Sequence, residues 1–387
     1  MRILYCALDQ VVPGTTGGPV HVRAVAEGLS ALGHEVHVLA GRAKDGFPTG
    51  PVSWHEIAPP LGGSRLRLLR AGAVAALSRA LRADVVMERY FNFGGEGVLA
   101  AARLGVPCVL EVNAPVIDYA GSPKRFLDRA LLLEPMRRWR EWQCRHADVI
   151  VSPSRAILPA SVPADRVVEV EWGADTGRFH PGAAGPTPFA RQGDQVVAVF
   201  AGAFRAWHGA IQLVDAIGRL RSRGVRSLAA VFAGDGPELP RARQAARSVD
   251  GVTFLGPVPH DRMPALLASA DIGVAPFDVA AHPPLALGFY WSPLKVFEYM
   301  ASGLPVVAPA IAGMRRVLDD GREGLLYDAT DPEGLARTLE RLGDPGLRRG
   351  LGAAARARAI RDYSWDAHCR RLQTAIDGAL RRRARVP

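Results

Sequence analysis

Short apolar runs alternate with segments of helical spacing twice over along this chain of 387 residues. The first series predicts strands at 3–7, 35–39, 84–88, 107–112 and 148–151, a helix over 20–32, and further helical spacing in the intervals. Runs this short and this apolar fit strands covered on both faces, so the pattern predicts a mostly parallel sheet between helices. A breaker-rich stretch, Phe179-His180-Pro181-Gly182-Ala183-Ala184-Gly185-Pro186-Thr187-Pro188, then interrupts the alternation and reads as a linker. Strands resume at 195–201, 228–233, 252–255, 272–275 and 306–308, with helices at 210–221 and 263–268. A last helix begins near Trp365 and ends in Arg381-Arg382-Arg383. The expected architecture is α/β, with two doubly wound Rossmann-like domains over 1–182 and 190–364 and a C-terminal helix over 365–387. Ligands of such sheets sit beyond the carboxyl ends of the strands. With two facing domains, the cleft between them is the default site.

Composition narrows the class. The chain is too long for one ordinary core, and 48% hydrophobic with 22% charged residues describes a soluble globular protein. No apolar run approaches the ~20 residues of a membrane span. Met1-Arg2-Ile3-Leu4-Tyr5-Cys6 enters a strand directly, without the layout of a secretion signal, so the expected location is cytoplasmic. Cys6, Cys108, Cys144 and Cys369 are widely spaced, which predicts free thiols and argues against disulfides or a metal site.

The net charge of +10 is almost all arginine, spread along helices and not interleaved with aromatics on strands. That distribution argues against nucleic acid as a partner. Charge concentrates at Arg65-Leu66-Arg67-Leu68-Leu69-Arg70 and between Lys124 and Arg145, where Arg137, Arg138 and Arg140 fall. These stretches read either as basic amphipathic helices on an anionic membrane surface or, more simply, as solvated helix faces.

The richest segment is Ser292-Pro293-Leu294-Lys295-Val296-Phe297-Glu298-Tyr299-Met300-Ala301-Ser302-Gly303-Leu304-Pro305, followed by the apolar strand Val306-Val307-Ala308. It carries an acid and one of the chain's three lysines at a helix start. Lys295 and Glu298, three residues apart, either pair on one helix face or take separate roles. In the second case Glu298 accepts from ribose hydroxyls, as acids do in dinucleotide folds, and amides near Leu294 and Lys295 hold phosphate.

Gly17-Gly18 lies between the first strand and helix, where glycine lets backbone approach a ligand; a structural turn needs glycines there equally. Gly202-Ala203-Phe204-Arg205-Ala206-Trp207-His208-Gly209 holds the equivalent place in the second series, with Arg205 and His208 as phosphate donors at a helix mouth. Gly234-Asp235-Gly236-Pro237 and Gly256-Pro257-Val258-Pro259 are further strand-end loops, either base-binding or plain turns. Asn113 closes a strand with Glu111 on the same side two residues earlier, so either both point toward the expected cleft or one of them caps a helix.

Together these segments resemble the nucleotide-sugar glycosyltransferases of glycosyltransferase family 4, which have the GT-B fold. The resemblance runs through Gly17-Gly18 with His21-Val22-Arg23, Gly33-His34-Glu35-Val36 and Leu110-Glu111-Val112-Asn113-Ala114-Pro115. It continues through Gly173-Ala174-Asp175-Thr176-Gly177-Arg178-Phe179-His180-Pro181, the Arg205–His208 and Gly234 loops, Ala270-Asp271-Ile272-Gly273-Val274-Ala275-Pro276-Phe277 and the segment beginning at Ser292. It implies a donor nucleotide bound mainly by the second domain, with Glu298 on the ribose, Gly256 and Val258 at the base, and Gly18 with Arg205 on the diphosphate. Gly17, His208, Gly234, Tyr290, Ser292, Leu294 and Lys295 complete the implied donor set. Glu111, Asn113 and Asp118 would face a hydroxyl acceptor, and the C-terminal helix would return to the first domain.

The resemblance also implies transfer with retention at the anomeric carbon and no metal or cofactor, fixed cations and amides holding the leaving diphosphate. Asn113, Arg205 and Glu298 are then the expected catalytic set. The chain departs from the family pattern in three places. Tyr290 stands eight before Glu298, where many members have a first acid, which moves sugar contacts toward main chain around 291–294. Ala203 and His208 stand in place of an Arg and Lys pair, leaving Arg205 as substitute cation. Asn113 replaces a histidine near the sugar C6 hydroxyl, which fits a donor modified at C6. Two other classes share such a scaffold: a nucleotide-sugar 2-epimerase, and a non-catalytic sugar- or nucleotide-binding protein. The acceptor is expected to be a natural-product core or a glycan, free or lipid-linked.

Overall fold

The computed structural model describes residues 1–14, 16–58, 69–92, 94–118, 123–130, 134–186, 189–282, 285 and 287–384. The chain divides into two units. The first comprises Met1–Trp172, Tyr290–Ser292 and Trp365–Pro387, and the second Gly173–Phe289 and Pro293–Ser364. The breaker-rich segment after Gly173 therefore counts with the second unit, and Tyr290, Trp291 and Ser292 count with the first.

The first unit holds seven strands: β1 Arg2–Val12, β2 Glu35–Arg42, β3 Ser53–His55, β4 Val85–Arg89, β5 Cys108–Glu111, β6 Val149–Ser152 and β7 Val167–Glu169. They form one sheet in the order β3-β2-β1-β4-β5-β6-β7, and every pairing is parallel. Ile3, Tyr5, Val36, Val38, Val85 and Met87 face Val22, Val25 and Leu29 of the helix Gly17–Ala31 and Leu372, Ala375 and Ile376 of the helix Trp365–Arg383. The apolar residues of the last helix thus complete the cover of this sheet.

The second unit holds β8 Val196–Ala201, β9 Leu228–Ala233, β10 Val252–Gly256, β11 Ile272–Val274, β12 Val306–Pro309 and β13 Gly324–Tyr327. Their order is β10-β9-β8-β11-β12-β13, again all parallel. In each sheet the chain reverses direction beside its first strand, between β1 and β4 or between β8 and β11. Such switch points open a crevice at the carboxyl edge.

Three strands escaped the apolar pattern. β3, β7 and β13 are three or four residues long and lie at sheet edges, paired on one side only. Short edge strands carry too few alternating positions to register as periodicity. The first helix also starts earlier than its apolar spacing suggests. Gly17 and Gly18 form its first turn after extended Thr16, and Pro19 fits there because first-turn amides need no intrahelical partner.

The helix Leu294–Ala301 is pinned at its C-terminal end. The Ala201 amide, at the end of β8, donates to the Tyr299 hydroxyl at 2.8 Å. Two residues on, Arg356, on the helix Pro345–Asp362, donates to the carbonyls of Ala301 (2.5 Å), Phe179 (2.6 Å) and Thr176 (2.9 Å). A cation at a helix C-terminus satisfies otherwise orphaned carbonyls. Gly352 lets the longer helix close in, since a Cβ there would stand 2.2 Å from the Gly303 carbonyl oxygen.

Gly352→Leu should therefore lower unfolding free energy by about 1–3 kcal/mol in urea titrations, because a backbone clash outweighs the roughly 1 kcal/mol gained from helix propensity. An unchanged midpoint would mean that the two helices are not held at this spacing.

Candidate functional site

At the carboxyl edge of the second sheet the loops after β8 and β9 lie backbone on backbone. Gly202 and Gly234 have φ of +137° and +132°, and a Cβ on Gly234 would come within 1.9 Å of the Gly202 carbonyl oxygen. Only glycine fits that left-handed, tightly packed corner. The Lys295 ammonium lies beside it: a Cβ on Gly202 would be 3.0 Å from Nζ. Nζ stands 4.5 Å from the Phe200 ring centroid and 5.4 Å from that of Phe277. It is shielded from solvent and has no hydrogen-bond partner.

Burial pushes Lys295 down to about 7, against the opposing pull of Glu298. His208 is likewise lowered to about 3, first by burial and then by the Lys295 charge. Its Nδ1 donates to the Ala203 carbonyl, so the neutral ring carries its lone pair on Nε2. Arg205 is exposed and borders a 200 Å³ pocket shared with Gln212, Glu238, Arg241 and Asp278.

Glu298 is one turn further along the helix and one-fifth exposed, with His260 Nε2 3.5 Å from its Oε1. His260 directly follows the loop 256–259 after β10, so the structure brings Glu298 next to the residue at the end of that loop. Sequence reasoning passed over His260, which had no motif around it.

The first sheet has its own cluster at the switch point. Glu111, at the end of β5, is 2% exposed and accepts from the Tyr5 hydroxyl (2.6 Å), His21 Nε2 and Asn113 Nδ2. Arg89 Nη1 lies 3.8 Å from it, while Arg89 Nε contacts Asp9 at 3.4 Å. Burial by itself would raise the Glu111 carboxyl, but His21, Arg89 and Tyr5 outweigh it and hold the group well below the usual carboxylate range. Burial lowers His21, so a neutral imidazole faces an ionised Glu111. The His21 ring stacks on Trp172 at 4.3 Å, and Trp172 Nε1 donates to Asn113 Oδ1 at 2.8 Å. Asn113 is thus gripped at both ends of its amide and half-buried.

Within this network the Glu111 oxygens accept from Tyr5, His21 and Asn113, and Glu111 holds the Asn113 amide. Asp118 keeps one-fifth of its side chain exposed. Arg140, 1% exposed, donates to it at 3.0 Å and contacts Asp128 at 3.4 Å, while Asp128 accepts from the first-turn amides of Met136 and Arg137. Arg140 is therefore an interior cation, whereas Arg137 and Arg138 remain exposed. Arg70 is also interior, 2.8 Å from buried Glu96; residues 65–68 of that basic run lie outside the described residues.

Tyr290 is buried. The Ser292 hydroxyl donates to Glu171 at 2.6 Å and accepts from the Trp172 amide at 2.9 Å, all within the first unit. The donor roles expected for Tyr290 and Ser292 beside Leu294 and Lys295 thus fall on residues grouped with the first sheet. Gly17 and Gly18 open a helix in that unit as well. His21, Arg89 and Trp172 were not singled out as site residues; the signal available was a histidine one turn into a helix that starts on glycines.

All four cysteines are buried and free. Among the described residues no group of three or more His, Cys, Asp or Glu could hold a metal ion, and no helix is long and apolar enough to cross a membrane.

Comparison with known proteins agrees with this arrangement. Residues 15–176 match the model described as Glycosyltransferase Family 4, and residues 195–344 match Glycosyl transferases group 1. A D-inositol 3-phosphate glycosyltransferase of Salinispora arenicola is 30% identical over 404 residues, covering 93% of this chain and 86% of that protein. A GDP-mannose-dependent alpha-mannosyltransferase of Corynebacterium glutamicum is 26% identical over 420 residues, covering 100% and 91%. Among solved structures, a glycosyltransferase from Rickettsia africae superposes with a TM-score of 0.72 at 16% identity over 98% of both chains. Anabaena HepE, solved with UDP and glucose, gives 0.67 at 19% over 97% and 99%. The structures establish the fold as GT-B. The chain belongs to glycosyltransferase family 4 and is a nucleotide-sugar-dependent glycosyltransferase.

Replacing Glu111 by Ala leaves Arg89, Tyr5 and Asn113 facing an apolar void. The expected loss is about 3–5 kcal/mol of unfolding free energy by urea titration. A loss below ~1 kcal/mol would show that the cluster does not depend on this charge.

Proposed function

We propose that the second unit holds the nucleoside-diphosphate-sugar and that the sugar passes to an acceptor hydroxyl with retention at the anomeric carbon and without a metal ion. The observation that carries this reading is the meeting of Glu298 and the loop 256–259 through His260. A carboxylate accepts from vicinal ribose hydroxyls, and a ribose held there puts its base against the main chain at Gly256 and Val258. The nucleotide-sugar dependence of the mannosyltransferase relative supports the same use of the unit.

In this mechanism the bond between the anomeric carbon and the β-phosphate oxygen breaks, and its electron pair leaves with the phosphate. The acceptor oxygen bonds the same face of that carbon, and its proton goes to the departing phosphate. The protein's part is to orient both reactants and stabilise the developing charge. Asn113, its amide fixed by Glu111 and Trp172, is the polar group offered by the first unit. The acceptor is a hydroxyl compound, and the protein works in the cytoplasm. Exposed Arg137, Arg138 and Arg145 support delivery of the acceptor at an anionic membrane surface. Sedimentation with anionic vesicles at low salt tests that placement, and absence of binding sinks it.

Glu298→Ala should abolish most of the thermal stabilisation that GDP or UDP gives the wild type, a loss of several degrees at saturating nucleotide. Turnover of GDP-mannose or UDP-glucose should persist in EDTA, and the product should keep the donor's anomeric configuration by NMR. An unchanged shift in Glu298→Ala removes that residue from the site; loss of turnover in EDTA or an inverted product overturns the mechanism.

A further inference from the structure

Among the described residues, the second unit contains a buried amine with no hydrogen-bond partner. Lys295 projects from the first turn of the helix Leu294–Ala301, where the helix dipole already disfavours a cation and no side chain caps the amides. Its ammonium is solvent-shielded and lacks any hydrogen-bond partner. The groups around it come from four elements. Phe200 of β8 and Phe277 after β11 offer ring faces, Gly202 offers backbone, and His208 from the loop after β8 is neutral. Glu298, on its own helix, is the one carboxylate that acts on it electrostatically. That acid engages His260 instead.

A side chain filling this space for packing alone would be apolar, since burying an unpaired ammonium is costly. The position is also chemically specific. Nζ sits against the glycine corner at the carboxyl edge of β8, beside the switch point, where backbone can approach an anion closely.

We propose that Lys295 is the cation of the diphosphate subsite, and that it takes a proton from solvent as the diphosphate arrives. The inference rests on the reading of the second unit as the donor unit and deepens it. In the empty site the amine is close to half-neutral near pH 7, because burial opposes its charge. A diphosphate beside it reverses the balance, supplying the missing counter-charge and hydrogen-bond acceptors. His208, lowered to about 3 by burial and by Lys295, is the weaker base of the two. During transfer Lys295 keeps its proton and faces the phosphate oxygen that receives the electron pair of the broken bond.

The sign of the pH dependence follows. The bound form holds one proton more than the free form, so raising the pH above about 7 weakens nucleoside diphosphate binding, by up to about tenfold per pH unit. Inorganic pyrophosphate should show the same dependence, and a bare nucleoside none.

Calorimetry of GDP, UDP and pyrophosphate binding at about pH 8, in two buffers of different ionisation enthalpy, measures the proton directly. Wild type should take up close to one proton more than Lys295→Met, which removes the phosphate's own titration from the comparison. Lys295→Met should bind GDP or UDP about tenfold or more weakly while melting at a higher temperature, because the apolar chain relieves the buried charge. Lys295→Arg, charged at every working pH, should bind without the fall in affinity on raising pH. Equal proton uptake in wild type and Lys295→Met, or undiminished GDP, UDP and pyrophosphate affinity in the latter, overturns the lysine's role and leaves the donor unit standing. Failure of wild type to bind either nucleotide overturns the donor reading and this inference with it.

Discussion

All-parallel pairing constrains everything else in this protein. A parallel neighbour can be reached only by a crossover that carries the chain back to the start of the next strand. In each sheet every strand-end loop therefore emerges at one edge, and the reversal beside the first strand parts those loops into a crevice. Residues far apart in sequence become neighbours there without any single segment encoding the site: Tyr5, His21, Glu111 and Trp172 in the first unit, Gly202, Gly234, Phe277 and Lys295 in the second.

The two edges treat buried charge in opposite ways. Glu111 is surrounded by an arginine, a tyrosine hydroxyl, an imidazole and an amide, so its ionised form is stabilised and its partners are oriented. Such a buried network holds its members in fixed orientations. Lys295 has aromatic rings and a glycine corner around it but no acceptor among the described residues, so burial disfavours its charge. The first arrangement fixes Asn113 in place; the second leaves a buried ammonium without a hydrogen-bond partner among the described residues. Departures from the family pattern make sense on this basis. Arg205, which stands nearest in sequence to the replaced Ala203 and His208, is solvent-facing, whereas the shielded cation comes from the motif helix.

Much of the architecture was legible in the order of residues, because strands buried on both faces leave unmistakable apolar runs and glycine-rich corners fall where runs end. Ten of the strands stand within a few residues of their expected places, and the family was evident from spaced motifs such as Gly202 to Gly209 and Ser292 to Pro305. Edge strands β3, β7 and β13 were not legible, since three or four half-covered residues have no period to detect.

What the sequence determined by itself was the succession of elements, the chemistry carried at their ends, and the family. Those follow from local propensity and from the spacing of apolar residues, which act over a few turns of chain. Tertiary structure alone decided which carboxylates were spoken for and which cation was not. Glu111, Asp118 and Glu298 look alike along the chain, yet Glu111 is buried among Tyr5, His21 and Asn113, Asp118 pairs with the buried Arg140, and Glu298 stands beside His260. Partner availability depends on contacts between distant segments and on solvent exclusion, and neither is written into any local pattern.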